Sequence, residues 1–119
     1  MKIIIAGSRT FNDYQLLKAE LNILIWPNVL LGRCIEIVSG TAKGADQLGE
    51  RYANEYGLRV KQFPADWNAH GKSAGYHRNK QMSEYATHCV CFWDGKSKGT
   101  KMMIDLATSA NLNVKIYNI

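Results

Sequence analysis

Two short segments of the sequence combine glycine, hydroxyl and lysine residues in the way that phosphate-binding turns do. Glycines in such turns let backbone N–H groups approach an anion, and hydroxyl and ammonium groups add further donors. Neither segment has the spacing of a Walker A loop or of a GxGxxG fingerprint, so the motifs predict a phosphate-bearing ligand without naming it. The candidate ligand-binding residues are Gly40, Thr41, Lys43 and Gly44 in SGTAKG, and Lys98, Gly99 and Thr100 in DGKSKGT.

A third turn, Ala6–Phe11 (AGSRTF), offers a similar set of donors. Gly7 permits close approach of the backbone, while Ser8 and Thr10 carry hydroxyl donors. Arg9 suits a bidentate grip on phosphate or carboxylate. The alternative for this turn is a plain strand-to-helix connection with an exposed arginine.

Asp46 and Trp67 each have two interpretations. Asp46 follows the first lysine turn, where a carboxylate either favours the helix macrodipole or hydrogen-bonds a ribose hydroxyl or a base. Trp67 lies in the polar segment Ala65–Asn79 and is either a core residue or a platform on which a base stacks. Arg78 and Asn79, at the end of the same segment, are candidate ligand donors.

Histidines and cysteines point to no metal site. His70, His77 and His88 have no carboxylate or thiolate at ligand spacing. Cys89 and Cys91 alternate within an apolar run, which predicts that both lie on one face of a buried strand. With Cys34 they form no even-numbered disulfide framework, so we expect no metal and a reducing compartment, the cytoplasm.

Apolar runs alternate with amphipathic patterns and predict an α/β fold, a Rossmann-like three-layer sandwich with a five-stranded parallel sheet. Residues 1–119 would form one domain. The predicted strands are Lys2–Ala6, Cys34–Val38, Leu58–Phe63, His88–Trp93 and Asn113–Tyr117. The first predicted helix begins at the cap Asn12–Asp13, ends near Trp26–Pro27, and carries Tyr14, Leu17, Leu21 and Leu24 on one face. The second runs from Gly44 to Gly57, and the third begins within Ala65–Asn79 and ends at about Ala86. The last helix is predicted to begin with Thr100 as its N-cap.

The predicted strand ends place the three turns and the polar segment at one edge of the sheet. In parallel α/β sheets, ligands bind beyond the carboxyl ends of the strands, where helices begin. The net charge of +5 and the pI of about 9.2 favour an anionic partner, either a nucleotide or a nucleic acid. No apolar run is long enough to predict a signal peptide or a membrane span.

Four segments in order, AGSRTF, VSGTAKGAD, FPADWNAHGKSAGYHRNKQM and FWDGKSKGTKMMIDLA, resemble the YspA-related branch of the SLOG superfamily. The superfamily also contains the LOG cytokinin-activating phosphoribohydrolases and the DNA-processing protein DprA. The resemblance covers nearly the whole chain and implies a Rossmann-like domain that binds nucleotides or nucleotide-derived ligands. Some SLOG domains of bacterial antiphage systems read ADP-ribose-type signals. Relatives are often dimers with the pocket near the interface, which implies a homo-oligomer.

LOG enzymes use an arginine in an R-K-x-x-M segment and a glutamate in a P-G-G-x-G-T-x-x-E segment. The chain keeps the arginine as Arg78, but Met103 stands at the position of the glutamate. A thioether cannot move a proton, and loss of a general acid or base costs about 10²–10⁴-fold in rate. Asp105 lies roughly 200° further round the helix and should not substitute. The resemblance therefore favours binding over hydrolysis and implies no cofactor.

The leading hypothesis is a protein that binds AMP, ADP-ribose or cyclic ADP-ribose, with phosphates held by the three turns and by Arg78. Asp46 and Asp94 would address the ribose. The chain would act as a sensor through a partner, or as a phage-type sponge that sequesters a signal, since no effector domain is expected in a chain of this length. The alternatives are a nucleotide N-glycoside hydrolase, in which Arg78 would be catalytic, and a nucleic-acid-binding protein.

Overall fold

The computed structural model describes all residues from Met1 to Ile119, and its strands form a single parallel sheet. Its strands are β1 (Lys2–Gly7), β2 (Glu36–Ser39), β3 (Arg59–Gln62), β4 (His88–Trp93) and β5 (Asn113–Asn118). They lie in the order β3-β2-β1-β4-β5, and every neighbouring pair is parallel. The predicted five-stranded parallel sheet is confirmed, with β2 and β3 shorter than their apolar runs suggested.

Helices cover both faces of this sheet. They are α1 (Tyr14–Leu30), α2 (Ala45–Tyr56), α3 (Trp67–His70), α4 (Ala74–Tyr85) and α5 (Lys98–Ser109), with a 3-10 turn at Gly71–Ser73. Because side chains alternate along a strand, Ile3 and Ile5 pack with buried residues of α1 and α2, whereas Ile4 and Ala6 pack with those of α4 and α5. Two apolar cores therefore separate the three layers. None of the helices combines the length and hydropathy that crossing a bilayer requires.

Helix α1 does not end near Trp26–Pro27, so that prediction is wrong. Proline removes one intrahelical hydrogen bond, but the helix continues to Leu30. The side-chain amide of Asn28 donates to the Leu24 carbonyl at 2.8 Å, which supports the last turn. Ile25, rather than the predicted Leu24, is the fourth fully buried residue of the helix and anchors that turn to the sheet.

The polar segment contains α3, the 3-10 turn and the start of α4, which confirms the prediction that a helix begins inside it and runs to about Ala86. Asp66 caps α3, accepting a hydrogen bond from the Ala69 N–H at 3.0 Å. Neither α3 nor the 3-10 turn buries a side chain. The buried part of the segment begins at Ala74, where α4 packs against the sheet. The absence of apolar periodicity in the sequence thus corresponds to a surface segment.

The strand order reverses at β1, since the chain proceeds outward through β2 and β3 and then returns to the other side of β1 as β4. The crevice at such a reversal is where open α/β sheets bind ligands. Helices α2 and α5 begin at this edge, after β2 and β4. Cys89 and Cys91 lie below it on one buried face of β4 with their Sγ atoms 3.5 Å apart, which confirms their predicted placement.

Candidate functional site

Two cavities open side by side at the carboxyl edge of the sheet. The cationic cavity, of about 330 Å³, is lined by Arg9, Gly40, Thr41, Ala42, Lys43, Pro64, Ala65, Trp67 and Arg78. The methionine cavity, of about 220 Å³, is lined by Ala6, Gly7, Arg9, Ala42, Asp46, Trp67, Gly75, Arg78, Asn79, Met82, Ser97, Gly99, Thr100, Met102 and Met103. Four residues line both: Arg9, Ala42, Trp67 and Arg78. The two cavities are therefore parts of one site.

Hydrogen bonds within the turn from β2 to α2, and one required glycine, fix the conformation of this turn. Gly44 has a φ of +82°, and a Cβ atom there would come within 2.3 Å of the Ser8 carbonyl oxygen, so only glycine fits. The Thr41 N–H donates to Ser39 Oγ at 3.0 Å and the Ala42 N–H donates to Asp46 Oδ2 at 3.2 Å. The expectation that backbone N–H groups of this turn face a ligand is wrong for these two, because protein oxygens already accept from them.

Arg78 joins this turn to α4. Its Nη1 donates to the Gly40 carbonyl and its Nε donates to Asn79 Oδ1 at 2.8 Å. Burial lowers the pKa of Arg78, with nearby Arg9 acting in the same direction and Asp46 opposing it. The guanidinium is fixed by two partners and keeps its Nη2 donors for the cavities that it lines.

Asp46 is a buried carboxyl group in the first turn of α2, 6% exposed and lining the methionine cavity. Burial raises its pKa to about 6, with the nearby Glu50 acting in the same direction. The Ala42 N–H and the charge of Arg78 oppose this shift. The group is thus a hydrogen-bond acceptor at neutral pH and takes up a proton in mildly acidic solution.

The cations of the site have no carboxylate within 4.0 Å. The ion pairs of the chain are Lys18–Glu55, Lys80–Glu84 and Lys101–Asp105. Arg9, Lys43 and Arg78 take part in none of them, although all three line the cationic cavity. Three positively charged side chains without an ion-pair partner around one concavity attract an anion.

In the turn from β4 to α5, the side chains of Asp94 and Ser97 form hydrogen bonds to other residues of the same turn. Asp94 Oδ1 accepts from the N–H groups of Lys96 and Ser97, at 2.8 Å each, and these bonds lower the pKa of Asp94. Ser97, not the predicted Thr100, is the N-cap of α5, and its Oγ accepts from the Thr100 N–H at 3.4 Å. The predicted cap is wrong because α5 begins at Lys98, which makes Thr100 the third residue of the helix.

The structure brings most of the predicted site residues together. Those that line the two cavities are Gly7, Arg9, Gly40, Thr41, Lys43, Asp46, Trp67, Arg78, Asn79, Gly99 and Thr100. Thr10 and Gly44 instead line a third concavity of about 350 Å³, which shares Arg9 and Lys43 with the cationic cavity. Asp94 and Lys98 are exposed outside the cavities, and Ser8 is buried beside them with a hydroxyl that has no hydrogen-bond partner.

Trp67 is not a core residue, since 57% of it is exposed, and it forms a rim shared by both cavities. Met103 is 1% exposed and lies in the floor of the methionine cavity, with Met82 and Met102 beside it. From the sequence, Met103 was predicted to lie on the apolar face of the last helix at the position of the LOG glutamate, and Met82 matched the methionine of the R-K-x-x-M segment, but Met102 was not predicted to line the site. Asp105 is exposed and pairs with Lys101 at 2.6 Å, which confirms that it points away from the site.

Comparisons with known proteins agree with this architecture. The model of the YspA, cpYpsA-related SLOG family matches residues 1–70. The Gene 61 protein of Mycobacterium phage D29 is 33% identical over 125 residues, covering 95% of this chain and 93% of that protein.

The crystal structure of DNA processing protein A (DprA) from Streptococcus pneumoniae shares the fold, with a TM-score of 0.74 at 17% identity. The match covers 97% of this chain but only 49% of the DprA chain, so the chain spans about half of that protein. The family match, over more than half of the chain, and the phage relative together establish that the chain belongs to the YspA, cpYpsA-related SLOG family.

Proposed function

We propose that the chain binds a nucleotide or a nucleotide-derived signal of the AMP, ADP-ribose or cyclic ADP-ribose type in the joined cavities. The observation that carries the proposal is the convergence of Arg9, Lys43 and Arg78 on one concavity with no carboxylate in ion-pair distance. A phosphate group supplies the missing negative charge, and charged hydrogen bonds to it are among the strong ones. Trp67 at the rim offers a face for stacking.

Membership in the SLOG family indicates nucleotide-related binding or nucleic-acid processing as the class of function. The cavities favour the first, because their cations surround a concavity rather than follow a stripe along the surface. A strand of nucleic acid would be held by an extended basic groove with successive stacking platforms. A mononucleotide fits a two-part cavity with one aromatic rim.

We further propose that the chain acts as one domain and as a homo-oligomer. It would signal through a partner or sequester its ligand, as a phage-encoded sponge does. The relative from Mycobacterium phage D29 is phage-encoded, as a sponge of this kind would be. A sponge for ADP-ribose-type signals must bind ADP-ribose or cyclic ADP-ribose more tightly than AMP, which a side-by-side titration measures.

Isothermal titration calorimetry with AMP, ADP-ribose, cyclic ADP-ribose and NAD tests the proposal. At least one of these ligands should bind stoichiometrically to the native chain, and Arg9→Ala should weaken that binding. Lys115→Ala is the matched control, because it removes an exposed cation from β5, outside both cavities. Absence of binding by all four ligands, or equal loss in the two variants, would overturn the proposal.

A second candidate function, N-glycoside hydrolysis of a nucleotide, is favoured by Asp46. A buried carboxyl group whose pKa is about 6, beside an arginine in a ligand-sized cavity, has the properties of a general acid. Release of adenine from AMP, or of nicotinamide from NAD, that is lost in both Asp46→Asn and Arg78→Ala would establish this activity. Binding without release in the native chain excludes it for those substrates.

A further inference from the structure

The two cavities differ in the chemistry of their walls. The cationic cavity has three positive side chains and the Thr41 hydroxyl, with Pro64 and Ala65 as its smaller apolar part. The methionine cavity has apolar side chains at its base, and three of these are the thioether side chains of Met82, Met102 and Met103. One site therefore presents a polar, positively charged half and an apolar half.

The apolar half adjoins the first turn of α5, where the composition of DGKSKGT predicts a phosphate-bearing ligand. Asp94 accepts from the Lys96 and Ser97 N–H groups, whereas the N–H groups of Lys98 and Gly99 have no acceptor within the chain. Ser97 Oγ lies 3.0 Å from Thr100 Oγ1 and also accepts from the Thr100 N–H. Lys98 is exposed and lines neither cavity. The turn therefore adds no side-chain cation to the apolar half of the site.

Methionine side chains suit a planar ring. The thioether is polarisable and adaptable, and sulfur makes favourable contacts with aromatic rings. Asp46, which lines the same cavity, is an acceptor for N–H or O–H donors of a bound molecule. A heteroaromatic base that carries amino or ring N–H groups satisfies both the apolar floor and this carboxylate.

We propose, building on the function proposed above, that the ligand lies with its base in the methionine cavity over Met102 and Met103 and its phosphate in the cationic cavity. Arg9 and Arg78, which line both cavities, lie at the junction between the two halves of the ligand. Trp67 covers the same junction from the rim. The ligand class is a nucleotide whose base is hydrogen-bonded by Asp46, which lines the methionine cavity.

Methionine methyl NMR tests this orientation directly. The chain has four methionines, and Met102→Leu and Met103→Leu assign the two that matter among them. Labelled with [methyl-13C]methionine and titrated with AMP or ADP-ribose, the protein should show upfield ring-current shifts of the Met102 and Met103 methyl groups. Ribose 5-phosphate, which has no base, should bind without these shifts, and the Met1 methyl group serves as an internal reference.

The affinities of variants for AMP and for ribose 5-phosphate test the same ligand orientation independently. Met102→Ala should weaken AMP binding about two- to tenfold, the range expected from losing sulfur–aromatic contacts, and leave ribose 5-phosphate unchanged. Lys43→Ala should weaken both. Met102 is only half-buried, so its loss should leave the fold intact, which circular dichroism checks.

The outcomes separate this inference from the function on which it rests. If AMP or ADP-ribose binds but neither methionine methyl group moves upfield, or if ribose 5-phosphate moves both equally, the orientation is wrong while nucleotide binding stands. If calorimetry detects no binding by any nucleotide, both proposals are overturned.

Discussion

The turn after β2 and the turn after β4 have similar compositions but different roles in the structure. Ser39–Gly44 directs Lys43 into the cationic cavity and anchors Arg78 through the Gly40 carbonyl. Asp94–Thr100 folds on its own carboxylate and hydroxyl groups and leaves Lys98 in solvent. Glycine, hydroxyl and lysine residues after a strand therefore do not by themselves make an anion site. The two turns differ in where the lysine lies, since Lys43 lines the cationic cavity and Lys98 lines neither cavity.

The largest expected difference between the turns concerns their glycines. Gly44→Ala should lower the free energy of unfolding by about 2–5 kcal/mol, because it combines a forbidden φ with overlap on the Ser8 carbonyl. Gly99→Ala should change it by less than about 1 kcal/mol, because a Cβ at Gly99 meets nothing within 4 Å. Urea unfolding of the two variants measures both values. Similar stabilities would show that the first turn is not rigidly held.

The two aspartates of these turns should respond to pH in opposite directions. The raised pKa of Asp46 means that the folded state holds its proton more tightly than the unfolded state, so the free energy of unfolding falls as the pH rises from about 4 to about 6. The free energy of unfolding should fall by about 2–3 kcal/mol, because the pKa of Asp46 is raised by roughly two units on folding. The lowered pKa of Asp94 gives stability that is lost as the pH falls below about 4.

Urea unfolding between pH 3.5 and pH 7.5 separates these contributions. Asp46→Asn should flatten the fall between about pH 4 and pH 6, and Asp94→Asn should leave that fall in place. A native-like pH profile in Asp46→Asn would contradict the assignment of the buried carboxyl group.

The lysines of the two turns should differ in their contribution to ligand affinity. Lys43→Ala should weaken nucleotide binding about ten- to hundredfold, the loss expected for one charged hydrogen bond. Lys98→Ala, a matched substitution in the second turn, should change affinity less than about twofold because the side chain lies outside both cavities. Calorimetry of both variants with one ligand decides the comparison, and equal losses would place the phosphate between the two turns.

A smaller loss of affinity than that of Lys43→Ala is expected when a side chain is added at Gly99, beside the second turn. Gly99→Val should weaken binding about tenfold by narrowing the methionine cavity, while leaving the melting temperature close to that of the native chain. The variant tests whether this wall contacts the ligand at all. Unchanged affinity would remove the first turn of α5 from the site.

The sequence predicted the fold and the gathering of the turns at one edge of the sheet, because both depend on local patterns. The apolar run His88–Trp93 matches β4 at both ends, and the end of each strand identified the turns that gather at one edge. Helix α1 was misjudged because proline is a strong stop signal in sequence, whereas burial of Ile25 and the Asn28 side chain sustain the helix in the fold.

The acceptor of each hydrogen-bond donor in the turns could not be predicted from the sequence. Hydrogen bonds from Thr41 N–H to Ser39 Oγ and from Ala42 N–H to Asp46 depend on how the turn closes, which composition does not specify. The grouping of methionines at the base of the cavity could likewise not be predicted, because Met82 and Met102 belong to different helices and come together only in the folded chain. Met102 and Met103 adjoin Thr100 in the sequence, and that proximity was the one signal that pointed to them.

The central claim is that the chain binds a nucleotide without cleaving it, and retention of ligand tests this most directly. The purified protein is incubated with AMP, NAD, ADP-ribose and cyclic ADP-ribose, separated from free ligand, denatured and chromatographed. We predict that at least one nucleotide is recovered intact and in stoichiometric amount, and that Lys43→Ala recovers less. Recovery of free adenine or nicotinamide would contradict the claim and assign the catalytic role to Asp46 and Arg78.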